Sequence, residues 1–189
     1  MKKVGIYGGS FDPIHHGHLI LAREAREALN LEKVIFVPAA MSPFKGRAAV
    51  ASGDMRLKML HAAIEAEQEF AIDDCELRRS PPSWTIDTVL EIRERETDSE
   101  IYLLIGEDNI ATLDRWRRFD ELKKMVRFVV LDRTGSQTQR NYQTVRRKID
   151  ISATDIRKRV AHGQSIRYLV PPAVAEIIQR EKLYREQSK

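Results

Sequence analysis

The sequence contains a single cysteine, Cys75, and no long apolar run. One cysteine excludes an intrachain disulfide and a cysteine-rich zinc site, and this composition is typical of the reducing cytoplasm. A transmembrane helix needs about 18 consecutive apolar residues. No segment approaches this length, so we expect no membrane partner. The first apolar stretch is interrupted by glycine at once, which argues against a secretory signal peptide.

A strong excess of one charge is also missing. The 189 residues include 32 Lys and Arg against 28 Asp and Glu, a formal net charge of +4. Charges of both signs argue against disorder. The sequence has no basic tail and no recognisable nucleic-acid module, so we expect no nucleic-acid partner. The length predicts one domain over residues 1–189, and a homo-oligomer is compatible with it.

Apolar strands alternate with amphipathic helices along the chain. Apolar runs, two of them continuous and therefore typical of strands buried on both faces, predict strands at 1–8, 33–39, 70–74, 101–106, 128–131 and 149–151. Helical periodicity predicts helices at 16–29, 54–68, 86–96, 154–161 and 172–183, and one helix or two short ones within 113–125. The segment 134–147 is polar and typical of turns. Cys75 is expected at the end of a strand, half-buried.

This alternation predicts an α/β fold, with a doubly wound, mostly parallel sheet, helices on both faces (Rossmann-like) and additional C-terminal helices. Ligands of such sheets bind beyond the carboxyl ends of the strands. We therefore expect a site near the predicted strand ends, which are Gly8, Ala39, Gly106, Asp132 and Ser152.

The segment Gly8–His18, GGSFDPIHHGH, carries most of the chemical information. It lies between the first strand and the first helix, and its glycines let the backbone come close to a ligand. The N–H groups of the turn and of the helix N-terminus favour an anion. His15 and His18 are three residues apart, so in a helical first turn they share one face and can point at one phosphate. Neither a Walker A loop nor the three-glycine dinucleotide fingerprint is present.

A second segment, ISATDIR at 151–157, opens a later helix. Together with GSFDPIHHGH it resembles the paired signatures of the nucleotidyltransferases that carry an HxGH motif, relatives of class I aminoacyl-tRNA synthetases. Five further segments are similar to the bacterial nicotinate-nucleotide adenylyltransferase family, and the resemblance runs nearly end to end. These segments are VPAAMSPFK (37–45), SWTIDT (83–88), LIGEDN (104–109), DRWRRFDEL (114–122) and VVLDRTG (129–135).

The resemblance implies an enzyme that transfers the adenylyl group of ATP to nicotinate mononucleotide, giving deamido-NAD and pyrophosphate in NAD biosynthesis. The attacking phosphate has its second pKa near ~6, so it is ionised at neutral pH and no general base is required. The site must instead bring two polyanions together and stabilise charge in the transition state. Mg²⁺ carried with the ATP phosphates is the expected cofactor. No acidic metal cage is expected, because magnesium keeps several waters.

The resemblance also implies roles for individual residues around ATP. His15, His18 and Arg157 are the candidate catalytic groups, with His18 nearest the α-phosphorus. Arg157 and the Ser152 hydroxyl would bind the leaving pyrophosphate, and Asp108 would accept a hydrogen bond from a ribose hydroxyl. The candidate ATP contacts are Gly8, Gly9, Ser10, Phe11, Gly106, Asp108, Ser152 and Thr154.

Nicotinate mononucleotide is expected across the same sheet edge. The Trp116 indole would stack on the pyridine ring, and backbone N–H groups near Thr85 would bind its carboxylate. Lys45 and Arg133 would bind its phosphate. Simpler structural roles stay open: helix packing for Trp116, a helix N-cap for Thr85 and a solvated loop residue for Lys45.

Other functions also stay open at this level. The first motif does not separate this reaction from adenylyl or cytidylyl transfer to another acceptor, such as nicotinamide mononucleotide or phosphopantetheine. A non-catalytic nucleotide sensor would keep the phosphate pocket but would not need all of His15, His18, Ser152 and Arg157. A truncated synthetase-like RNA binder would need a lysine-rich second signature, which the sequence lacks.

Overall fold

The computed structural model describes residues 1–40, 49–80, 82–135 and 141–185. The strands are β1 (Lys2–Gly9), β2 (Lys33–Pro38), β3 (Phe70–Ile72), β4 (Ser99–Gly106), β5 (Arg127–Asp132) and β6 (Gln143–Arg146). They form one six-stranded sheet in the order β3-β2-β1-β4-β5-β6. Every neighbouring pair is parallel, so all the carboxyl ends lie at one edge.

Helices connect the strands. They are α1 (His16–Leu29), α2 (Gly53–Ile64), α3 (Cys75–Arg78), α4 (Thr85–Arg95), α5 (Phe119–Met125), α6 (Ala153–Ala161) and α7 (Pro172–Arg180). A 3₁₀ helix, Glu107–Arg115, follows β4 directly. Within the described ranges, no helix is long and apolar enough to span a bilayer.

Two apolar clusters cover the two faces of the sheet. In β1, Tyr7 contributes to the cluster packed against α1, α2 and α7, whereas Val4 and Ile6 contribute to the cluster packed against α4 and α5. β2 alternates in the same way, because successive side chains of a strand point to opposite faces. The expected α/β sheet with helices on both faces is therefore confirmed.

The strand order places a topological switch point between β1 and β4. From β1 the chain proceeds outward through β2 to β3, and it then crosses back to continue from β4 to β6. The connections leaving the carboxyl ends of β1 and β4 therefore diverge to opposite faces and leave a crevice between them. Crevices at such points bind ligands in open α/β sheets. The first motif follows β1, so this crevice is the expected location of the site.

The last strand lies earlier in the chain than the sequence predicts. Strand β6 is Gln143–Arg146, inside the polar segment 134–147, whereas Ile149 and Ile151 lie outside any strand. β6 is an edge strand in which only Val145 is buried. Strand β6 pairs with β5 through backbone hydrogen bonds. Its sequence therefore carries little of the apolar pattern from which strands are predicted.

Of the two alternatives for 113–125, the structure has two short helices, the end of the 3₁₀ helix and the separate helix α5. One other local prediction is wrong. Cys75 does not end a strand; it is buried and begins the short helix α3, where its N–H donates to Asp73 Oδ1 over 3.0 Å. Such Asx turns favour a local reversal over strand continuation.

The central strand should dominate the stability of the sheet. Ile6 in β1 is 1% exposed, so Ile6→Ala leaves a cavity and should lower the free energy of unfolding by about 2–5 kcal/mol. The matched control is Ile20→Ala in α1, where the side chain is 37% exposed and the change should stay within about 0.5 kcal/mol. Urea unfolding measures both. Equal losses in the two variants would contradict the placement of the core.

Candidate active site

The turn after β1 brings backbone to the surface at the switch point. A Cβ on Gly9 would lie 2.9 Å from two carbons of the Phe11 ring, whereas a Cβ on Gly8 would meet nothing within 4 Å. Phe11 has a left-handed backbone, φ 46°. Its ring packs edge-on against Tyr7 and His18, with centroids 5.5 and 5.1 Å away. The Phe11 ring therefore belongs to the core, and only its backbone can meet a ligand.

The two motif histidines lie together at the start of α1. Their rings stack with centroids 3.7 Å apart and an interplanar angle of 25°, which confirms that they share one face. The His15 carbonyl accepts from the N–H of His18 over 2.9 Å, which closes the first helical turn. A Cβ on Gly17 would come within 3.0 Å of the His15 ring. The glycine between the histidines thus makes room for His15.

His15 is uncharged at neutral pH. Burial lowers its pKa to about 3, and the positive charges of Arg133 and His16 contribute in the same direction. Its Nδ1 atom is buried and has no hydrogen-bond partner among the described residues. A neutral imidazole still carries one N–H. The group can therefore donate to a phosphate oxygen while remaining uncharged.

The start of α6 meets the turn after β1. Arg157 Nη1 donates to the Asp12 carbonyl over 2.6 Å, across 145 residues of sequence. Arg157 Nη2 lies 3.4 Å from Thr154 Oγ1, on the first turn of α6. The two segments singled out in the sequence therefore meet in the structure. The Arg157 guanidinium therefore lies at the turn that leads from β1 to His15 and His18.

Ser152 has a different structural setting from the predicted one. It is the N-cap of α6, where its Oγ accepts from the N–H of Asp155 over 3.1 Å, and no strand ends there. A capping hydroxyl keeps its own proton for donation. Ser152 and the exposed Thr154 therefore sit at a helix N-terminus, where backbone N–H groups favour an anion.

The carboxyl end of β4 lies on the other side of the switch point. A Cβ on Gly106 would be 2.7 Å from Asp108 Oδ1, so glycine permits the carboxylate to fold back over the strand end. Asn109 Nδ2 donates to the Gly106 carbonyl and to Asp108 Oδ1, both over 3.3 Å. The predicted ribose contact is thus held at the carboxyl end of β4, the strand next to β1.

Thr85 and Trp116 occupy a second region of the structure. Thr85 is the first residue of α4 and Trp84 is the N-cap, so the N-cap interpretation of Thr85 is wrong. The Arg117 guanidinium lies 5.4 Å from the centroid of the Trp84 ring. This contact connects the start of α4 to the segment that holds Trp116. Trp116 packs edge-on against Phe128, with centroids 6.4 Å apart, which supports a packing role for the indole.

Arg133 and Lys45, the two predicted phosphate contacts of the mononucleotide, stay predictions. Arg133 Nη1 lies 3.4 Å from the Ile151 carbonyl, and its charge acts on His15. It therefore lies with the predicted ATP contacts, between the histidines and the start of α6. Lys45 lies outside the described residues.

Comparison with known proteins identifies the family. Residues 6–159 match the family model described as cytidylyltransferase-like. The probable nicotinate-nucleotide adenylyltransferase of Shouchella clausii is 43% identical and covers 97% of each chain. That of Rhodopirellula baltica is 41% identical over 96% of this chain and 93% of its own. The chain belongs to the nicotinate-nucleotide adenylyltransferase family. It is therefore a nucleotidyltransferase.

A solved structure supports the fold assigned to this adenylyltransferase. The nicotinic acid mononucleotide adenylyltransferase of Plasmodium falciparum, complexed with NaAD, superposes with a TM-score of 0.79. The match covers 97% of this chain and 98% of the other, at 19% identity. The same architecture is thus kept at low sequence identity.

Sequence reasoning missed Arg56, a buried cation that supports the site. Its Nη1 donates to the Ser10 carbonyl over 2.9 Å and to the Ala39 carbonyl over 2.8 Å. It joins the turn after β1 to the end of β2. The sequence does contain a signal, since Arg56 falls on the buried stripe of α2 with Met59 and Leu60. A buried arginine needs partners, and carbonyls at the sheet edge supply them.

The buried state of His15 should appear in the acid stability of this adenylyltransferase. The unfolded chain binds a proton near its ordinary pKa of about 6.5, whereas the folded chain resists protonation until about pH 3. Stability should therefore fall with acidification through this interval, by up to about 1.4 kcal/mol per pH unit. Urea unfolding of the wild type and of His15→Asn between about pH 6 and pH 4 measures the difference. Parallel curves would show that His15 charges normally in the folded chain.

Proposed function

We propose that this chain transfers the adenylyl group of ATP to nicotinate mononucleotide, releasing pyrophosphate and forming deamido-NAD. The observation that carries the proposal is the hydrogen bond from Arg157 to the Asp12 carbonyl. It gathers an arginine, a stacked histidine pair and a helix N-terminus at the switch point. The names of the relatives agree with this activity, and the Plasmodium neighbour holds NaAD.

The reaction is an in-line displacement at the α-phosphorus of ATP. A phosphate oxygen of the mononucleotide attacks, a new P–O bond forms, and the bond to the β-phosphate oxygen breaks as pyrophosphate leaves. The attacking oxygen is already ionised, so no side chain has to remove a proton. The protein contributes position and charge stabilisation. His18 donates at the α-phosphate, and Arg157 binds the leaving oxygens.

The neutral state of His15 fits this role. Its ring stacks directly on His18, so an uncharged His15 adds no positive charge beside that residue. A neutral His15 can donate one hydrogen bond to the triphosphate. Backbone N–H groups of Gly9, Ser10 and Phe11, together with the Ser152 hydroxyl, supply further donors of fixed direction.

Magnesium would enter with the nucleotide. The described residues contain no group of three or more His, Cys, Asp or Glu side chains that could hold an ion, and the donors at the switch point are imidazoles, guanidinium groups and N–H groups. Such a donor set fits phosphate oxygens better than a bare cation. When bound to the phosphates, Mg²⁺ would neutralise their charge and so ease the approach of the second anion.

The acceptor would lie toward the start of α4. The N–H groups at Thr85 can face the nicotinate carboxylate, because a helix N-terminus favours an anion. Trp116 lies in the segment joined to this helix by Arg117 and Trp84, and we place the pyridine ring beside its indole.

We treat residues 1–189 as one domain acting in the cytoplasm, which agrees with the free, buried Cys75.

A direct comparison of acceptors tests the proposed function. With ATP and Mg²⁺, we expect pyrophosphate release to be at least about 100-fold faster with nicotinate than with nicotinamide mononucleotide. The amide replaces one acceptor oxygen of the carboxylate by an NH₂ group and so leaves an N–H donor of the protein unpaired. Phosphopantetheine should give no release above background. Preference for either of the other acceptors would assign the chain to another transfer reaction, and nucleotide binding without turnover would identify a sensor.

Removing the imidazole at position 18 should impair the chemical step. His18→Ala is expected to lower kcat by about 100-fold or more with a smaller change in KM, because its contact strengthens in the transition state. The matched control is His61→Ala, an exposed histidine on α2 outside the site, which should leave both constants unchanged. Steady-state pyrophosphate release measures them. A rise in KM alone would assign His18 to substrate binding.

A further inference from the structure

Asp12 lies in the turn that carries the first motif, yet its carboxylate points into the protein. The residue is 3% exposed. Its Oδ1 accepts from the Tyr184 hydroxyl over 2.7 Å and from the N–H of Ala51 over 3.1 Å. Its Oδ2 accepts from the N–H of Val50 over 2.7 Å. Protein donors thus use most of its acceptor capacity, which suits it to holding structure.

Two guanidinium groups lie beside the same residue. Arg157 Nη1 is 3.9 Å from Asp12 Oδ2 and, as described above, donates to the Asp12 carbonyl. Arg56 interacts electrostatically with both Asp12 and Tyr184. A shift of the Asp12 side chain would therefore change the environment of Arg157 directly. The carboxylate is a junction between the C-terminal segment, the start of α2 and the site.

We propose that Tyr184 is a positioning residue for adenylyl transfer, in which its hydroxyl fixes the Asp12 carboxylate and Asp12 fixes Arg157 where the pyrophosphate leaves. This inference rests on the proposed function. Tyr184 lies 172 residues from Asp12 in the sequence, beyond the end of α7. The C-terminal segment thereby sets the geometry of the first motif.

Tyr184 is built to remain a donor. Burial, with the negative charge of Asp12, raises the pKa of its hydroxyl above the ordinary value, so the proton stays in place at neutral pH. The residue has a left-handed backbone, φ 61°, a conformation that is uncommon for residues other than glycine. The surrounding contacts must hold it there, and the hydrogen bond to Asp12 is one of them.

The decisive variant removes only the hydroxyl. Tyr184→Phe should lower kcat by about tenfold, the effect expected from losing a hydrogen bond to a charged group, while KM for nicotinate mononucleotide stays unchanged. The matched control is Tyr102→Phe. The Tyr102 hydroxyl also donates to a carboxylate, Glu100 Oε2 over 2.9 Å, but from the amino-terminal half of β4. This control should lose stability without losing kcat.

A double-mutant cycle tests the route of the effect. If Tyr184 acts through Asp12 on Arg157, then Tyr184→Phe introduced into Arg157→Lys should change kcat by less than about twofold, because the two losses share one cause. Thermal unfolding and steady-state pyrophosphate release are measured for all variants. Additive losses in the cycle, or a kcat for Tyr184→Phe equal to that of Tyr102→Phe, would overturn the inference. Failure of the proposed function would instead appear in the unmodified chain, as absence of turnover with nicotinate mononucleotide.

Discussion

The hydrogen bond between Arg157 and the Asp12 carbonyl joins the two sequence motifs of the candidate site. The first motif is a turn that leaves β1, and the second is the start of a helix added after the sheet is complete. Neither alone can surround a triphosphate. A guanidinium donating to a carbonyl at 2.6 Å is a directional contact between a charged and a polar group. It fixes the distance between the stacked histidines and the N-terminus of α6.

The candidate site combines neutral and charged donors, a set that suits anionic substrates. His15 is buried and uncharged, so it can donate without adding to the positive charge of Arg133 and Arg157 nearby. Backbone N–H groups at the turn and at the start of α6 add fixed dipoles. Donors that are already oriented need little rearrangement as charge moves toward the leaving group. Positioning and charge stabilisation are what a reaction with an ionised nucleophile requires.

Buried polar residues inside the protein support the donors of the candidate site. Arg56 binds carbonyls at the ends of β1 and β2, and the Asp12 carboxylate accepts from donors of two separate segments, residues 50–51 and Tyr184. Each of these groups is costly to bury unless it is paired. Their pairing therefore ties the turn after β1 to the neighbouring segments. A site keeps its geometry when packing and hydrogen bonds from neighbouring residues hold its side chains in place.

The amino-acid sequence determined the class of fold and the first motif, because both depend on local patterns. Alternating strands and helices imply a parallel sheet, and the spacing of His15 and His18 on a helix places them on one face. The sequence could not locate β6, whose pairing depends on backbone hydrogen bonds with little hydrophobic signal. Nor could it show that Ser152 is a helix cap or that Trp116 packs on Phe128.

Tertiary structure alone decided the supporting contacts of the site. Asp12 meets Tyr184 across 172 residues, and Arg157 meets Asp12 across 145. Such pairs follow from the way the last helices pack on the finished sheet, and no periodicity or local propensity encodes them. The sequence therefore predicted which residues carry the proposed chemistry. Long-range packing determined which residues would hold them in place, because burial brings together polar groups that the chain keeps far apart.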